Sequence, residues 1–213
     1  MRDLISTTFV VKLIFAVLGI AIWFKTQAQL SKRTSDSSSV FDHVHYATKA
    51  WHAKLLNDTK LANFILISSS LLVDALGLFT LVWGVFSPQY ETLAGLFLLF
   101  GLRQCNQFIT RLPAPEKMIW RNPGFPSLFV TYGVSQDLFF SGHTAIAVFG
   151  ALELSRFHNT WLNVAALFVC IYEIAVVLIL RAHWFMDVFA GAVTAYAVFK
   201  FAPDLISWLH GLY

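Results

Sequence analysis

Six long apolar segments occupy most of this 213-residue chain and restrict its fold more than any other feature. A helix needs about 20 mostly apolar residues to cross the hydrocarbon core of a bilayer. The segments do not alternate between apolar and polar residues as barrel strands do, so they predict helices. We therefore predict an all-α, polytopic membrane bundle with six transmembrane helices, at residues 8–24, 61–85, 92–108, 142–157, 161–180 and 184–201.

The composition agrees with lipid as the solvent. Hydrophobic residues make up 57% of the chain and charged residues 13%, whereas a soluble domain is nearer half apolar and a quarter charged. The first apolar segment is longer than a signal-peptide core and is followed by a poor cleavage site, which favours a retained membrane helix. At this length we expect one membrane-embedded domain, residues 1–213.

The charge distribution gives the bundle two unequal faces. Six crossings place the long connections 25–60 and 109–141 on one face, together with the short fifth connection. That face carries most of the Lys and Arg residues, so the positive-inside rule predicts that it is cytoplasmic. The net charge is only +3 and no basic run exceeds two residues, which argues against nucleic-acid binding.

Two polar motifs open the fourth and sixth predicted spans. Residues 137–144 read Asp-Leu-Phe-Phe-Ser-Gly-His-Thr, and residues 181–187 read Arg-Ala-His-Trp-Phe-Met-Asp. His143 and His183 are separated by about two membrane crossings of ~20 residues each, so they return to the same face. Asp187 follows His183 by about one helical turn, which predicts that the two side chains meet.

This pattern suits phosphoryl transfer through histidine. A carboxylate beside an imidazole fixes its tautomer and stabilises its protonated form, so we predict that Asp187 supports His183 as a nucleophile toward phosphorus. His143 is placed to protonate a leaving alkoxide. The predicted catalytic residues are therefore His143, His183 and Asp187, and the motifs that hold them lie within residues 102–187.

A phosphate-binding group is predicted around these residues. Ser141 and Gly142 lie at a helix start, where free N–H groups attract anions. Arg103 and Arg181 supply guanidinium groups that suit a phosphate. An interfacial role without function is the alternative for any single one of these residues. Ionisable residues within a membrane are costly, however, and their convergence on one face favours function.

The remaining metal-binding residue types do not form a convincing site. Cys105 and Cys170 lie in apolar stretches without zinc-ligand spacing, and we interpret both as buried thiols. His43, His45 and His52 in the first connection suggest a metal site, but solvated loop residues are the preferred interpretation. We therefore predict no metal and no cofactor.

The motifs resemble those of the type-2 phosphatidic acid phosphatase superfamily, in which Ser-Gly-His is followed by His-x3-Asp after one helical hairpin. Together with residues 102–115, they look like its branch of sphingomyelin synthases and phosphatidylcholine:diacylglycerol cholinephosphotransferases. The resemblance implies six helices, no metal and a phosphohistidine intermediate. It implies that His183 attacks, Asp187 orients it and His143 serves the alcohols. Arg103 and Asp137 match further motif positions and join the predicted phosphate-binding group.

Two departures favour the transferase branch over the common phosphatases. Val177 stands where those phosphatases have an Arg, and their Lys-x6-Arg-Pro motif is missing. Arg111 occupies a position that is small and polar in the sphingomyelin synthases, so their headgroup preference does not carry over. Those synthases act on the exoplasmic face, which is opposite to the face that the charge distribution indicates.

Three functions follow from the sequence. The first is a lipid phosphotransferase that moves a phospho-headgroup, such as phosphocholine, from a phospholipid to a lipid alcohol. The second is a lipid phosphate phosphatase, in which water is the acceptor. The third is a non-catalytic lipid-binding membrane protein on the same scaffold.

Overall fold

A computed structural model describes residues 7–30, 40–132 and 138–211. These residues form α-helices joined by turns and irregular segments, without a β-strand in the described ranges. The helices are α1 (Thr7–Leu30), α2 (His43–Ala47), α3 (Lys49–Asn57), α4 (Thr59–Phe86), α5 (Glu91–Ile109), α6 (Gly142–Ser155), α7 (Thr160–Ile179) and α8 (Phe185–His210).

The all-α prediction is confirmed for the described chain, and each of the six predicted segments forms a helix. Four of them, α1, α4, α7 and α8, are long and apolar enough to cross a membrane. Helix α6 has 14 residues, and its rise of about 21 Å is shorter than the ~30 Å hydrocarbon core. The structure thus supports four spans, and six crossings stay a prediction.

Helix α6 lies at the centre of the bundle. It packs against α4, α7 and α8, and α8 also packs against α5. Buried apolar side chains of α5, α6 and α8, among them Leu99, Phe149 and Ala195, form one core cluster. Helix α1 packs against α4 and α5, so the outer wall of the bundle on that side is a single helix.

Polar side chains connect α4 to α7 within this apolar environment. Ser69 Oγ donates to Glu173 Oε2 at 2.6 Å, and Ser68 and Tyr172 share a hydrogen bond at 2.5 Å. Hydrogen bonds between membrane helices stabilise their association because lipid offers no alternative partner. Ser68 and Ser69 therefore fix the register of α4 against α7.

The first connection differs from its prediction as a solvated loop. It contains the short helices α2 and α3, which both pack against α7. His43 is exposed, but His45 and His52 are buried. The interpretation as solvated loop residues is therefore wrong for His45 and His52. Cys170 is buried as predicted, but Cys105 is exposed on α5 and its predicted burial is wrong.

Candidate active site

The two motifs are joined by one backbone hydrogen bond. The Ser141 amide donates to the carbonyl oxygen of Asp187 at 3.0 Å. Ser141 is also the N-cap of α6, and its Oγ accepts from the Thr144 amide at 3.3 Å. A serine cap satisfies an N–H group that the first helical turn leaves unpaired. The start of α6 is thus fixed to the first turn of α8.

Gly191 makes this contact between α6 and α8 possible. A Cβ atom at this position would lie 2.8 Å from the carbonyl oxygen of Ser141. The obstacle is backbone, which cannot rotate away as a side chain can. Gly191 was not among the predicted site residues, although an isolated glycine in a helical pattern is a signal of close packing.

Arg103 packs against the start of α6 from the side of α5. Its Nε donates to the Phe140 carbonyl at 3.0 Å, and its Nη1 donates to Gln107 Oε1 at 3.3 Å. A Cβ atom on Gly142 would lie 3.1 Å from Arg103 Nε. We predicted that Gly142 belongs to the phosphate-binding group, and in the structure the absence of a side chain there makes room for this guanidinium.

His183 reaches its position through the turn that ends α7. Arg181 adopts a left-handed conformation with φ 55°, which is unusual for a residue with a side chain. The turn brings the amide of His183 to the Val177 carbonyl at 3.3 Å. Strained backbone of this kind is concentrated at functional sites, where the surrounding structure holds it in place.

Asp187 lies beside His183, but not for the reason that the spacing suggested. Helix α8 begins at Phe185, so His183 precedes the helix and does not lie one helical turn from Asp187. Instead, Asp187 Oδ2 accepts from the amide of the N-cap residue Trp184 at 2.9 Å. This bond holds the carboxylate at 3.6 Å from His183 Nδ1, a contact longer than a hydrogen bond.

Four of the predicted site residues line one cavity. Arg103, Gly142, His143 and His183 surround a space of about 520 Å³, counting the part that is open to solvent. The ring of His143 meets Trp120 edge to face, with ring centroids 5.0 Å apart. The remaining wall is largely apolar and comes from α1, α4, α5, Ile146 of α6, residues within 118–131, Leu138 and Ala182.

The site holds buried polar atoms that lack partners. The exposed fraction is 8% for His143, 6% for His183 and 0% for Asp187. His143 Nε2, His183 Nδ1 and Asp187 Oδ1 have no hydrogen-bond partner among the described residues. Unpaired buried polar atoms are costly and need an explanation, and a catalytic role is one. The two imidazole nitrogens can bind or exchange a proton, and the Asp187 carboxylate can stabilise a protonated ring.

Among the predicted phosphate-binding residues that the structure describes, Ser141 and Arg181 do not line this cavity. Arg181 Nη1 donates to the carbonyl oxygen of Glu116 at 3.2 Å, and Arg181 is not among the residues that line the cavity. Asp137 lies outside the described residues. Within the described ranges, no group of three His, Cys, Asp or Glu residues is arranged to hold a metal ion.

Residues 41–204 match the model of the AtPDCT1/2 family, the phosphatidylcholine:diacylglycerol cholinephosphotransferases. The chain belongs to this family. The match agrees with the predicted transferase branch and, with the four apolar helices, supports a membrane protein. Neither a curated protein nor a solved structure matches the chain.

The AtPDCT1/2 match begins at residue 41. The segment that follows contacts the site, which we did not predict. Asp42 caps α2 through the Val44 amide at 2.8 Å. Its other carboxylate oxygen accepts from the Phe185 amide at 2.6 Å. An aspartate before a helix is a recognisable N-cap signal, but its second partner lies 143 residues away.

Two histidines continue this contact between the first connection and the site. His45 Nε2 lies 3.0 Å from the carbonyl oxygen of His183, and His52 Nδ1 lies 2.8 Å from that of Ile179. Burial is the main cause that lowers the pKa of both imidazoles, and the nearby Arg181 lowers it further. A neutral imidazole keeps one N–H group, so His45 can donate to the His183 carbonyl and His52 to the Ile179 carbonyl. Asp42, His45 and His52, which we call the latch, therefore hold the turn that presents His183.

Proposed function

We propose that this chain transfers phosphocholine from phosphatidylcholine to diacylglycerol through a phosphohistidine at His183. One observation carries the proposal: His143 and His183 line the same cavity as Arg103, with the Asp187 carboxylate 3.6 Å from His183 Nδ1. Two imidazoles, a guanidinium and a carboxylate supply a nucleophile, a proton donor and charge stabilisation for phosphoryl transfer.

In the first step His183 attacks phosphorus. Its Nδ1 faces Asp187, so Nε2 is the nucleophile. A P–N bond to His183 forms as the P–O bond to the glycerol carbon chain breaks. The protonated form of His143 gives its proton to the leaving diacylglycerol oxygen. Asp187 stabilises the positive charge that develops on the His183 ring.

The second step reverses the first with a new alcohol. The hydroxyl group of an acceptor diacylglycerol gives its proton to the now neutral His143 and attacks phosphorus. The P–N bond breaks, His183 is regenerated, and phosphatidylcholine with the new glycerol backbone leaves. The same residues serve both steps because the two alcohols are chemically equivalent.

The phosphate oxygens are bound at the start of α6. Arg103 lies against Gly142, with the ideal Cβ position of this glycine 3.1 Å from Nε, and Ser141 caps the helix. Unpaired N–H groups and the helix dipole favour negative charge at this end of a helix. Arg103, Ser141 and Gly142 are thus proposed as the phosphate-binding group, and Arg181 and Asp137 stay predicted members of it.

Hydrolysis is the second candidate function, because water can replace the alcohol in the second step without any change in the site. The open part of the cavity favours this candidate, since water can enter there. Membership of the AtPDCT1/2 family favours transfer. The third candidate, a lipid-binding protein without activity, fits the apolar cavity wall but gives no role to the unpartnered histidine atoms.

A single assay separates the three. Purified protein in lipid nanodiscs is given phosphatidylcholine labelled in the choline group, with and without diacylglycerol of distinguishable chain length. Label in a new phosphatidylcholine species that depends on added diacylglycerol supports transfer. Free phosphocholine formed without diacylglycerol supports hydrolysis, and no product in either case contradicts both. His183→Ala is the negative control, and the transfer activity is expected to persist in a chelator.

A further inference from the structure

A second cavity adjoins the candidate active site within the helical bundle. It comprises about 530 Å³ of space, counting its open part, and every residue that lines it is apolar or glycine. Trp23, Phe100, Phe129 and Ile146 line both cavities. The two spaces are therefore neighbours that share one wall.

The residues of helix α1 that line the two cavities show in which direction the second cavity lies from the first. Ala16, Gly19, Ile20 and Trp23 line it, and their spacing places them on one face of a helix. Gln27, one turn further along the same face, lines the first cavity. The inward face of α1 thus extends from the level of the histidines to the second cavity.

Helices α4 and α5 repeat this arrangement. On α4, Val73 lines the first cavity and Leu81 the second. On α5, Arg103 lines the first and Leu96 the second. Separations of seven or eight residues correspond to about 10–12 Å along a helix axis. Half of a hydrocarbon core is about 15 Å thick, so the offset between the two sets of lining residues is shorter than one leaflet.

We propose that the second cavity binds one acyl chain of the diacylglycerol moiety while its phosphate or hydroxyl group lies at His183. The inference rests on the proposed function. An uncharged, apolar space that adjoins a phosphate-binding site, at an offset shorter than one leaflet, matches the shape of a glycerolipid, which has a polar head and chains in the same leaflet.

The transfer reaction makes donor and acceptor share this cavity. The diacylglycerol that leaves in the first step and the one that enters in the second are chemically equivalent, and each must place its oxygen between phosphorus and His143. Their chains then extend into the same space. Chain-length selectivity is therefore expected to be the same for the phospholipid donor and for the diacylglycerol acceptor.

Leu81 and Val82 offer a matched pair of variants on α4. Leu81 lines the second cavity, whereas the neighbouring Val82 is 46% exposed on the outside of the bundle. Leu81→Trp adds volume inside the cavity, and Leu81→Ala removes it. Val82→Trp adds the same ring toward lipid and is the control.

The experiment measures transfer with donors of graded chain length and a fixed acceptor, and then with the roles exchanged. The chain leaves bilayer hydrocarbon and not water, so its selectivity arises from the fit of its length to the cavity. Leu81→Trp is expected to move the optimum to shorter chains and Leu81→Ala to longer chains, by the same amount in both series. Unchanged profiles in both Leu81 variants, or a shift equal to that of Val82→Trp, would overturn the proposal.

Lipid binding without turnover gives a second readout. Phosphatidylcholines of graded chain length are added to the purified variants, and the rise in Tm is recorded as a measure of binding. A chain-length dependence that moves with the Leu81 substitutions, but without any transfer product, supports the cavity and contradicts the proposed function. Transfer whose chain-length dependence does not change with the Leu81 substitutions supports the proposed function and contradicts the cavity.

Discussion

The Nε2 atom of His45 lies 3.0 Å from the carbonyl oxygen of His183. The first connection of the chain therefore supports the residue proposed as nucleophile through its backbone. The contact leaves the His183 ring free for chemistry while limiting the movement of the turn that carries it. Contacts of this kind behind reacting groups commonly affect rate more than binding.

Removal of this contact is expected to slow turnover without weakening substrate binding. His45→Ala should lower kcat by about 10- to 100-fold, with little change in KM, since the ring touches the turn and not the cavity. His45→Gln keeps an N–H donor and should recover part of the rate. His43→Ala, on the same short helix but exposed, is the control. A large rise in KM in His45→Ala would contradict the positioning role.

The latch histidines should make stability depend on pH. Burial lowers the pKa of His45 and His52 below the usual value of 6.5. In the unfolded chain their pKa returns to about 6.5, so below that pH the unfolded state binds more protons than the folded state. Stability is then fully present above about pH 6.5 and is lost as the pH falls through the lowered folded values.

A series of Tm measurements checks this expectation. The Tm of the wild type should be nearly constant from about pH 8 to 7 and should fall below about 6.5. The double variant His45→Gln/His52→Gln should show a flatter profile, whereas His43→Gln should keep the wild-type slope. If the double variant keeps the wild-type slope, other groups cause the pH dependence.

Asp187 should show separate effects on chemistry and on folding. Asp187→Asn keeps an oxygen for the Trp184 amide but removes the charge beside His183. We expect kcat to fall on the order of 10²- to 10⁴-fold with a small change in Tm. Asp187→Ala also removes the cap, which costs about 1 kcal/mol more in the free energy of unfolding. kcat and Tm are measured for both variants. Equal losses of stability in Asp187→Asn and Asp187→Ala would argue against the capping role.

The two histidines should respond differently to the leaving group. His183→Ala is expected to abolish turnover and any trapped phosphoenzyme, whichever substrate is used. His143→Ala should be partly rescued by p-nitrophenyl phosphocholine, because nitrophenolate leaves without protonation. Rates with this ester and with phosphatidylcholine are compared for each variant. Losses that are equal at both positions and independent of the substrate would refute the proposed division of roles.

Gly191 should tolerate no side chain. Gly191→Ala places a Cβ 2.8 Å from the Ser141 carbonyl oxygen, and overpacking of this kind costs about 1–3 kcal/mol in the free energy of unfolding. Gly101→Ala is the control, since no atom lies within 4 Å of the added Cβ. This change should stabilise helix α5 by about 0.5–1 kcal/mol. Tm and kcat are recorded for both; a neutral Gly191→Ala would show that α6 and α8 can separate without cost.

The sequence predicted what depends on local pattern. Apolar segments located the helices, and the spacing of His143 and His183 brought both rings to one cavity. The position of Asp187 was right in outcome but wrong in cause, because the cap at Trp184 and not a helical turn brings it to His183. Capping geometry at a helix start is set by one or two residues, which a periodicity argument does not resolve.

The latch could not be predicted in the same way. Helix α2 has five residues, and helices this short are not stable alone, so their formation depends on tertiary contacts. His45 meets His183 across 138 residues, and no local pattern encodes such a pairing. Polar composition made the segment look solvated, whereas His45 and His52 are buried and distant carbonyl groups accept their hydrogen bonds.

The bond between the Ser141 amide and the Asp187 carbonyl has a consequence for recombination among relatives. Its two ends come from different motifs, and Gly191 sets the spacing between them. A chimera whose crossover falls between positions 141 and 191 joins an α6 start from one parent to an α8 start from another. Such a chimera contains both histidines, but the contact that aligns α6 with α8 comes from two parents. A crossover in the α4–α5 turn takes residues 141–191 from one parent and keeps this contact, so we expect these residues to be exchanged together.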